Sequence, residues 1–475
     1  MIVLQMLGYD NGTIFTSKQR RALMILSLVV IIASLNIGLN YYDIMWWISW
    51  YKIVQTHGIT SIPSIYALCE APTCKAPYPP LAILIFIASY ALASAIPYVI
   101  RYVVLKLVLV IAPAMIVFYI LKKYRGIDVA IIWLLNLPLL QIILVLQFDV
   151  LIAMFVMLST LYFMFNKPHY SALFITLATL IKPVAAIILP LHLFLMLIRR
   201  EYKACLKYLL TSALLTAILV VPFFIASPSK FIENLVLFHS SRAPQDLSLW
   251  AIATVLEESR IVDELKLINN LWLVPFLICY SISFAILYRA SKKQNIDKPI
   301  LYGIFMAAFP LLLLIMFNKI GNLNYLIWIV PISLLVLNSK HIKKFYLLTS
   351  LIVLLGSLPY AIILLLMPAS ANIPVFIVED LSYWDARALI MQSINYYIIY
   401  MLTLLQAYIA TPLADFSTPA EMLKLFSYIL LELNGLRRIL LIVVILVSQS
   451  LLTITALFYL TTMSSRDVKS IKIST

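Results

Sequence analysis

Charged residues are scarce in this chain. They make up 12% of its 475 residues, whereas 64% are hydrophobic and the mean hydropathy is +1.02. A soluble globular domain carries charge on about a quarter of its residues, so that class is excluded. Apolar stretches of roughly 20 residues recur along the whole length, and each is long enough to cross a hydrocarbon core of about 30 Å. The chain is therefore predicted to be an all-α polytopic membrane protein.

Cysteines and clustered metal ligands are also few. Of the four cysteines, Cys69 and Cys74 lie close together in a predicted outer loop, Cys205 lies at a cytoplasmic span end and Cys279 lies within a span. An oxidising outer compartment permits a Cys69–Cys74 disulfide, and two free thiols are the alternative. The further ligands that zinc needs are missing nearby, so we expect neither a metal ion nor another cofactor.

Acidic residues are outnumbered by basic ones, which gives a net charge of +15. The excess lies in alternate loops, as expected when Lys and Arg stay on the cytoplasmic side. The clusters that carry it are Lys18/Arg20/Arg21, Lys122/Lys123/Arg125, Lys167, Arg199/Arg200/Lys203/Lys207, Arg289/Lys292/Lys293/Lys298, Lys340/Lys343/Lys344 and Arg466/Lys469/Lys472. Membrane topology accounts for the positive charge, so no nucleic-acid partner is predicted.

The same charge rule assigns about 12 transmembrane helices with both termini in the cytoplasm. The predicted spans are 22–40, 104–121, 128–145, 148–165, 171–182, 183–198, 208–225, 269–288, 299–316, 325–338, 345–366 and 438–462. We place 80–98 and 391–410 as helices on the outer face; the count lies between about 11 and 14 if such stretches are assigned otherwise. Residues 1–475 form one membrane domain with large outer loops at 41–103, 226–268 and 367–437.

Polar residues gather on the predicted outer face, where Asp43 follows the first span directly. A carboxylate at a membrane face costs free energy unless it is solvated, paired or used. Lys and Arg can hold a phosphate, and a carboxylate can deprotonate an attacking hydroxyl. This combination suits a lipid-linked phosphosugar. The other outer-face candidates are Asp149, Lys182, His239, Arg242, Gln245, Asp246, Ser248, Asn318, Lys319 and Asn322.

Several motifs occur in an order that resembles the GT-C superfamily of membrane glycosyltransferases. They are Asp43 after the first span, Tyr78-Pro79-Pro80-Leu81, Phe148-Asp149-Val150 and Lys182-Pro183. The segment from Phe317 to Trp328 resembles one in the GPI mannosyltransferase catalytic subunit, and the match extends to bacterial polyprenyl-phosphate-mannose-dependent mannosyltransferases. Two departures stand out. Position 45 is Met, where the GPI enzyme has a second Asp, and Trp46-Trp47 is followed by Ile48, so the Trp-Trp-Asp signature of oligosaccharyltransferases is absent.

The resemblance implies a GT-C fold and an inverting transferase that acts outside the cytoplasm. The donor would be a hexose, mannose by preference, on dolichyl or polyprenyl phosphate, and the acceptor a lipid-linked or other extracytoplasmic glycan. Asp43 would be a lone general base and Lys182, Arg242 and Lys319 would bind the donor phosphate. Membrane lipids are the remaining partners. The expected sugar-binding or acceptor-binding residues are Tyr42, Trp46, Tyr78, Asp149, His239, Gln245, Asp246, Asn318 and Tyr325.

Simpler interpretations stay open for each of these residues. Asp43 could be a solvated residue at a span end, Asp149 a helix N-cap and Lys182 a lysine that reaches the headgroups. His239 could be structural, and the aromatic residues near Asp43 could form an interfacial belt. A transporter or flippase for lipid or lipid-linked sugar is the alternative function, although the pseudo-symmetric halves typical of transporters are not evident. The sugar, the acceptor, the linkage and the oligomeric state stay open.

Overall fold

The computed structural model is helical apart from one short pair of strands. It describes residues 14–36, 41–70, 74–96, 98–242, 244–252, 270–292, 298–366 and 419–464. The α-helices are α1 Ser17–Asn36, α2 Tyr41–His57, α3 Ile65–Leu68, α4 Pro80–Ser94, α5 Tyr98–Lys106, α6 Ala112–Arg125, α7 Ile127–Leu134, α8 Leu137–Val145, α9 Asp149–Met164, α10 Pro168–Ile181, α11 Leu189–Ile198, α12 Tyr202–Ala226, α13 Pro228–Ile232, α14 Phe238–Ser241, α15 Leu273–Lys292, α16 Lys298–Gly303, α17 Phe309–Phe317, α18 Val330–Val336, α19 Ser339–Leu366 and α20 Pro419–Ser464.

Short 3₁₀ and π-helical turns join several of these helices. The 3₁₀ turns are Ile59–Ser64, Pro183–Ile188 and Leu323–Trp328, and the π turns are Leu107–Ile111, Glu233–Leu237 and Ile304–Ala308. Proline opens many of the helices, because its fixed φ suits the first turn and its missing N–H is not needed there. Pro80, Pro168 and Pro228 each stand at such a start. The chain is thereby divided into short helices that can change direction within the bundle.

Four helical stretches among the described residues are long and apolar enough to cross a membrane. They are Arg101–Arg125, Tyr202–Ala226, Leu273–Lys292 and Ile439–Thr462, and α7 with α8 forms a fifth if this pair, bent by 43°, counts as one span. All five overlap spans that the hydropathy pattern predicts. The structure thus supports an all-α polytopic membrane protein, whereas the full set of about 12 spans stays a prediction.

The structure also differs from the sequence-based assignment in two places. Residues 41–57, expected to be part of an outer loop, form helix α2, so Asp43 lies in a first helical turn. Residues 424–433, part of the predicted outer loop 367–437, continue into the last span within α20. In α2 and α20, an unbroken helix pairs backbone N–H and C=O groups that would lack a partner at a break. The outer-face helix predicted at 391–410 lies outside the described residues.

Helix α9 lies at the centre of the bundle, where it packs against α10, α18 and α6. Helices α17 and α18 are buried along nearly their whole length. By contrast, α12 exposes apolar side chains such as Leu214 and Ile225 on its outer surface, as expected for a helix that faces lipid. On the side predicted to be cytoplasmic, Arg20 donates two hydrogen bonds to the Asp128 carboxylate, at 2.5 and 3.1 Å.

The two strands are very short, but they join distant parts of the chain. Strand β1 (Gln245–Asp246) pairs in parallel with β2 (Ile320–Gly321), with Gln245 opposite Ile320 and Asp246 opposite Gly321. A Cβ at Gly321 would fall well inside van der Waals distance of the backbone of Leu247 and Ser248. Only glycine therefore allows this approach.

Replacing Gly321 with Ala should push β1 and β2 apart, because the new methyl group meets backbone rather than a movable side chain. We expect a loss of about 1–3 kcal/mol in stability, measured as a lower Tm of the purified protein in detergent. Gly58→Ala is the control: its φ of 81° strains an alanine, but no heavy atom lies within 4 Å of the new Cβ, so the loss should be smaller. An unchanged Tm for Gly321→Ala would contradict the close approach.

Candidate active site

Asp43 is held at the N-terminal end of α2 by an amide from the α8–α9 turn. Gln147 donates its Nε2 hydrogen to Asp43 Oδ2 at 2.5 Å. Burial raises the pKa of the Asp43 carboxyl above its ordinary value, the Gln147 hydrogen bond and the charges of Lys182 and Arg242 oppose that rise, and the Asp149 charge adds to it. Two cations thus lie within electrostatic range of a mostly buried carboxyl group.

Asp149 and Lys182 form an ion pair in the interior of the bundle. The Lys182 Nζ lies 2.9 Å from Asp149 Oδ1, and the two side chains are 17% and 1% exposed. The indole Nε1 of Trp328 donates to the same oxygen at 2.8 Å. Asp149 is the first residue of α9, and Phe148, not Asp149, stands at the N-cap position of that helix. Its carboxylate thus serves a distant lysine and tryptophan, and the N-cap interpretation is wrong.

The ammonium of Lys182 is also covered by two aromatic rings. Its Nζ lies 4.4 Å from the ring centroid of Tyr325 and 5.2 Å from that of Trp328. The two rings stack on each other at 4.2 Å with an interplanar angle of 18°. The carboxylate of Asp149 precedes Lys182 in the chain, and the rings of Tyr325 and Trp328 follow it. Contacts from separate segments therefore hold the Lys182 ammonium in one place. Its contacts are side chains of the bundle, so it does not simply extend to lipid headgroups.

The loop that carries Tyr78 is anchored by side chains from three directions. Trp50 Nε1 donates to the Lys75 carbonyl at 3.0 Å, His239 Nε2 to the Pro77 carbonyl at 2.8 Å and Tyr66 Oη to the Tyr78 carbonyl at 2.6 Å. A disulfide joins Cys69 to Cys74 where the loop begins. The position of the Tyr78 ring is thus determined by its backbone as well as by its own packing.

Tyr78 lies in an aromatic cluster beside the two carboxylates. Its ring centroid is 5.3 Å from that of Phe148 and 6.2 Å from that of Trp47. Burial raises the pKa of the Tyr78 hydroxyl well above its ordinary value, and the charges of Asp43 and Asp149 add to the rise. Tyr78 therefore stays protonated and offers a hydroxyl next to both acids.

The paired strands bring the segments around Arg242 and Lys319 together. Lys319 Nζ donates to the Ser240 carbonyl at 2.7 Å, and Ser248 Oγ donates to the Asn318 carbonyl at 2.7 Å. Burial lowers the pKa of the Lys319 ammonium, and the Arg242 charge lowers it further. Arg242 interacts electrostatically with Asp43 as well, so both positive groups belong to the same cluster.

Most residues singled out from the sequence converge here. Asp43, Tyr78, Asp149, Lys182, Arg242 and Tyr325 are linked by mutual electrostatic interactions, and Lys319, His239, Asp246 and Gln245 adjoin them. Some have local structural contacts: Asn318 Oδ1 accepts from the Ile320 N–H, and His239 holds Pro77. Trp46 packs under Lys75, with Nζ 5.1 Å from its ring centroid. The Tyr42 side chain lies outside the described part.

Sequence reasoning missed Gln147, Trp328 and Lys75 as site residues. Gln147 stands next to the Phe148-Asp149-Val150 motif in an otherwise apolar stretch, so its position was a usable signal. The role of Trp328 as a donor to Asp149 depends on a contact between residues 179 positions apart, which one sequence does not reveal. Within the described ranges, no group of three or more His, Cys, Asp or Glu side chains is placed to hold a metal ion.

A comparison with protein-family models matches residues 77–316 to glycosyltransferase family 87. That stretch contains Tyr78, Asp149, Lys182 and Arg242, but neither Asp43 nor the segment from Phe317 to Trp328. No curated protein matches the chain. The matched part covers half of the chain and includes both members of the buried ion pair.

Asp149→Asn should destabilise the protein by about 3–5 kcal/mol, because it leaves the Lys182 ammonium buried without its counter-ion. The double variant Asp149→Asn/Lys182→Met should recover most of that loss, since no uncompensated charge remains. The free energy of unfolding in detergent measures both effects. Lys230 and Glu233 form an exposed pair with the same separation, 2.9 Å, so Glu233→Gln should cost under about 1 kcal/mol. Additive losses in the double variant would show that the pair contributes no coupling.

Proposed function

This chain belongs to glycosyltransferase family 87, and we propose that it transfers a hexose, mannose by preference, from a dolichyl or polyprenyl phosphate. The acceptor is a hydroxyl of a lipid-linked or other extracytoplasmic glycan. Membership of the family makes the protein a membrane glycosyltransferase, and its apolar helices agree with that. The donor, the acceptor and the mechanism are the proposal.

One observation carries this proposal: the carboxyl group of Asp43 and two cations from separate segments interact electrostatically. Asp43 comes from α2, Lys182 from the α10–α11 junction and Arg242 from the residue after α14, and the charges of both cations influence the Asp43 carboxyl. Transfer from a lipid phosphate needs a base for the incoming hydroxyl and positive charge for the departing phosphate. The same cluster offers both.

In the proposed reaction, Asp43 removes the proton of the acceptor hydroxyl as its oxygen attacks the anomeric carbon. The new carbon–oxygen bond forms opposite the phosphate, so the configuration inverts. The bond from the anomeric carbon to the phosphate oxygen breaks, and the lipid phosphate leaves with the electron pair as a stable anion. A general acid is therefore unnecessary. Lys182 and Arg242 stabilise the phosphate, and Lys319 is the third cation assigned to it.

The two carboxylates take different parts in this proposal. Asp149 already accepts hydrogen bonds from Lys182 and Trp328, so it orients the phosphate-binding cation. Asp43 accepts from the neutral amide of Gln147, and an amide hydrogen bond leaves a carboxylate basic. The aromatic side chains of Trp46, Tyr78 and Tyr325 can cover the sugar faces. Gln245, Asp246, Asn318, His239 and Tyr42 complete the proposed sugar and acceptor surface.

The proposal extends to topology and to partners. We infer about 12 spans, both termini in the cytoplasm and the site on the extracytoplasmic side. The Cys69–Cys74 disulfide supports that side for the Tyr78 loop, because disulfides persist in oxidising compartments. The lipid-phosphate sugar is a substrate, and neither a cofactor nor nucleic acid takes part. Membrane lipids and a glycan or glycolipid acceptor are the partners.

Asp43→Asn should reduce kcat by about 10²–10⁴, because the amide cannot take the acceptor proton, while the KM for the donor stays close to that of the wild type. The measurement is sugar transfer in membranes supplied with radiolabelled polyprenyl-phosphate mannose or polyprenyl-phosphate glucose. The exposed Glu233→Gln variant, which also removes one negative charge, should retain full activity. Full activity of Asp43→Asn would exclude it as the base, and transfer from neither donor would refute the proposed reaction.

The pH profile of kcat/KM should report the environment of Asp43. The base acts only when ionised, and its pKa is raised by burial, so activity should fall with decreasing pH at a higher pH than an ordinary aspartate would give. Gln147→Met removes a hydrogen bond that favours the ionised form and should move this acidic limb to still higher pH. An acidic limb at the same pH in wild type and Gln147→Met would show that another group controls the rate.

A further inference from the structure

Two cations that belong to different loops share one aromatic ring near Asp43. The Lys75 Nζ lies 5.7 Å from the ring centroid of Phe238, and the Arg242 Cζ lies 5.8 Å from the same centroid. Lys75 Nζ also lies 5.1 Å from the ring of Trp46, which is three residues from Asp43 in α2. We call Trp46, Lys75, Phe238 and Arg242 the Phe238 site.

Neither cation of the Phe238 site is matched by a carboxylate in contact. The ion pairs among the described residues are Arg20–Asp128, Lys182–Asp149, Arg199–Glu201 and Lys230–Glu233. Arg242 interacts electrostatically with the Asp43 carboxyl, and no ion pair of Arg242 is among those of the described residues. Lys75 and Arg242 therefore place two positive charges beside one ring, and an anion bound by both would be attracted to each. Lys182 differs from Lys75 and Arg242 in this respect, because its ammonium is paired with the Asp149 carboxylate.

The backbone that carries these cations is firmly held. The Lys75 carbonyl accepts from Trp50, and the neighbouring Ala76 N–H donates to Asn234 Oδ1 at 3.4 Å. Cys74, on the other side of Lys75, is in the disulfide. Arg242 is followed by β1, which is paired with β2. A backbone held in this way lowers the ordering cost of binding an anion at these side chains.

The surroundings of the Phe238 site are suited to a lipid. Val236 and Leu237, which directly precede Phe238, are 57% and 55% exposed. Apolar side chains of this kind, next to cations, match the junction of an acyl or prenyl chain with its charged headgroup. Arg and Lys together also suit a phosphate, because the guanidinium fork can bind two oxygens while the ammonium adds a point charge.

We propose that Lys75 and Arg242 form a phosphate-binding site for a lipid-borne phosphate, in addition to the cation Lys182 deeper in the bundle. Phe238 and Trp46 hold the two cations in position. The phosphate can come from the donor lipid or from a phospholipid on the acceptor side, and the chemistry of recognition is the same. This inference rests on the proposed transfer reaction for its biological meaning, but binding at the site does not require turnover.

The test measures lipid binding without catalysis. Purified protein in a nonionic detergent is titrated with farnesyl phosphate, with dioctanoyl phosphatidic acid and with uncharged dioctanoylglycerol, and tryptophan fluorescence reports the Kd. Lys75→Gln should weaken binding of a phosphate lipid about tenfold, the effect of losing a hydrogen bond to a charged group. Lys75→Arg should bind like the wild type, and Lys230→Gln, which removes a lysine that already has a carboxylate partner, should change nothing.

The two phosphate probes distinguish the sources. A loss confined to farnesyl phosphate assigns the site to the donor, and a loss confined to phosphatidic acid assigns it to the acceptor side; a loss with both supports a phosphate site open to either. Equal Kd values for wild type and Lys75→Gln with both probes would overturn the proposal, and so would an equal loss with dioctanoylglycerol. Asp43→Asn should bind all probes normally, so failure of the transfer reaction is distinguishable from failure of this site.

Discussion

The buried ion pair between Asp149 and Lys182 is the interaction on which the site depends. A carboxylate that is 1% exposed is costly unless its charge is matched and its oxygens accept hydrogen bonds. Lys182 and Trp328 provide both at one oxygen. The pair therefore fixes the start of α9, the junction of α10 with the 3₁₀ turn Pro183–Ile188 and the turn Leu323–Trp328 relative to one another. Tyr325 follows, because it stacks on Trp328.

This constraint also separates the roles of the two acids. Asp149 holds the cation in contact, and Asp43 interacts with it at longer range while accepting from Gln147. Asp149 thus accepts a hydrogen bond from a cation, and Asp43 accepts one from a neutral amide. Under the proposed reaction, this difference in environment makes Asp43 the base and Asp149 a positioning residue.

Part of this arrangement could be predicted from the sequence. Features set by neighbouring residues were predictable, whereas contacts between residues far apart in the chain were not. Hydropathy is local, so an apolar span such as Tyr202–Ala226 could be predicted. The candidate acids and cations followed from the cost of charge near a membrane. The partner of each was not predictable, because Gln147 meets Asp43 across 104 positions and Trp328 meets Asp149 across 179. The helical conformation of α2 within the predicted outer loop 41–103 was not predicted, because its many tryptophans and tyrosines do not by themselves distinguish a helix from a loop.

A site that must bind a lipid phosphate and then release it needs cations of graded availability. A cation already paired with a carboxylate attracts a phosphate less strongly than a cation without such a partner. Lys182 is such a paired cation, since Asp149 occupies one face of its ammonium and two rings cover it. Arg242 has an aromatic neighbour and no carboxylate in contact among the described residues. Its charge is therefore less neutralised than that of Lys182, and it attracts a phosphate over a longer distance. Under the proposed reaction, the difference between these two cations makes both capture and release of the phosphate possible.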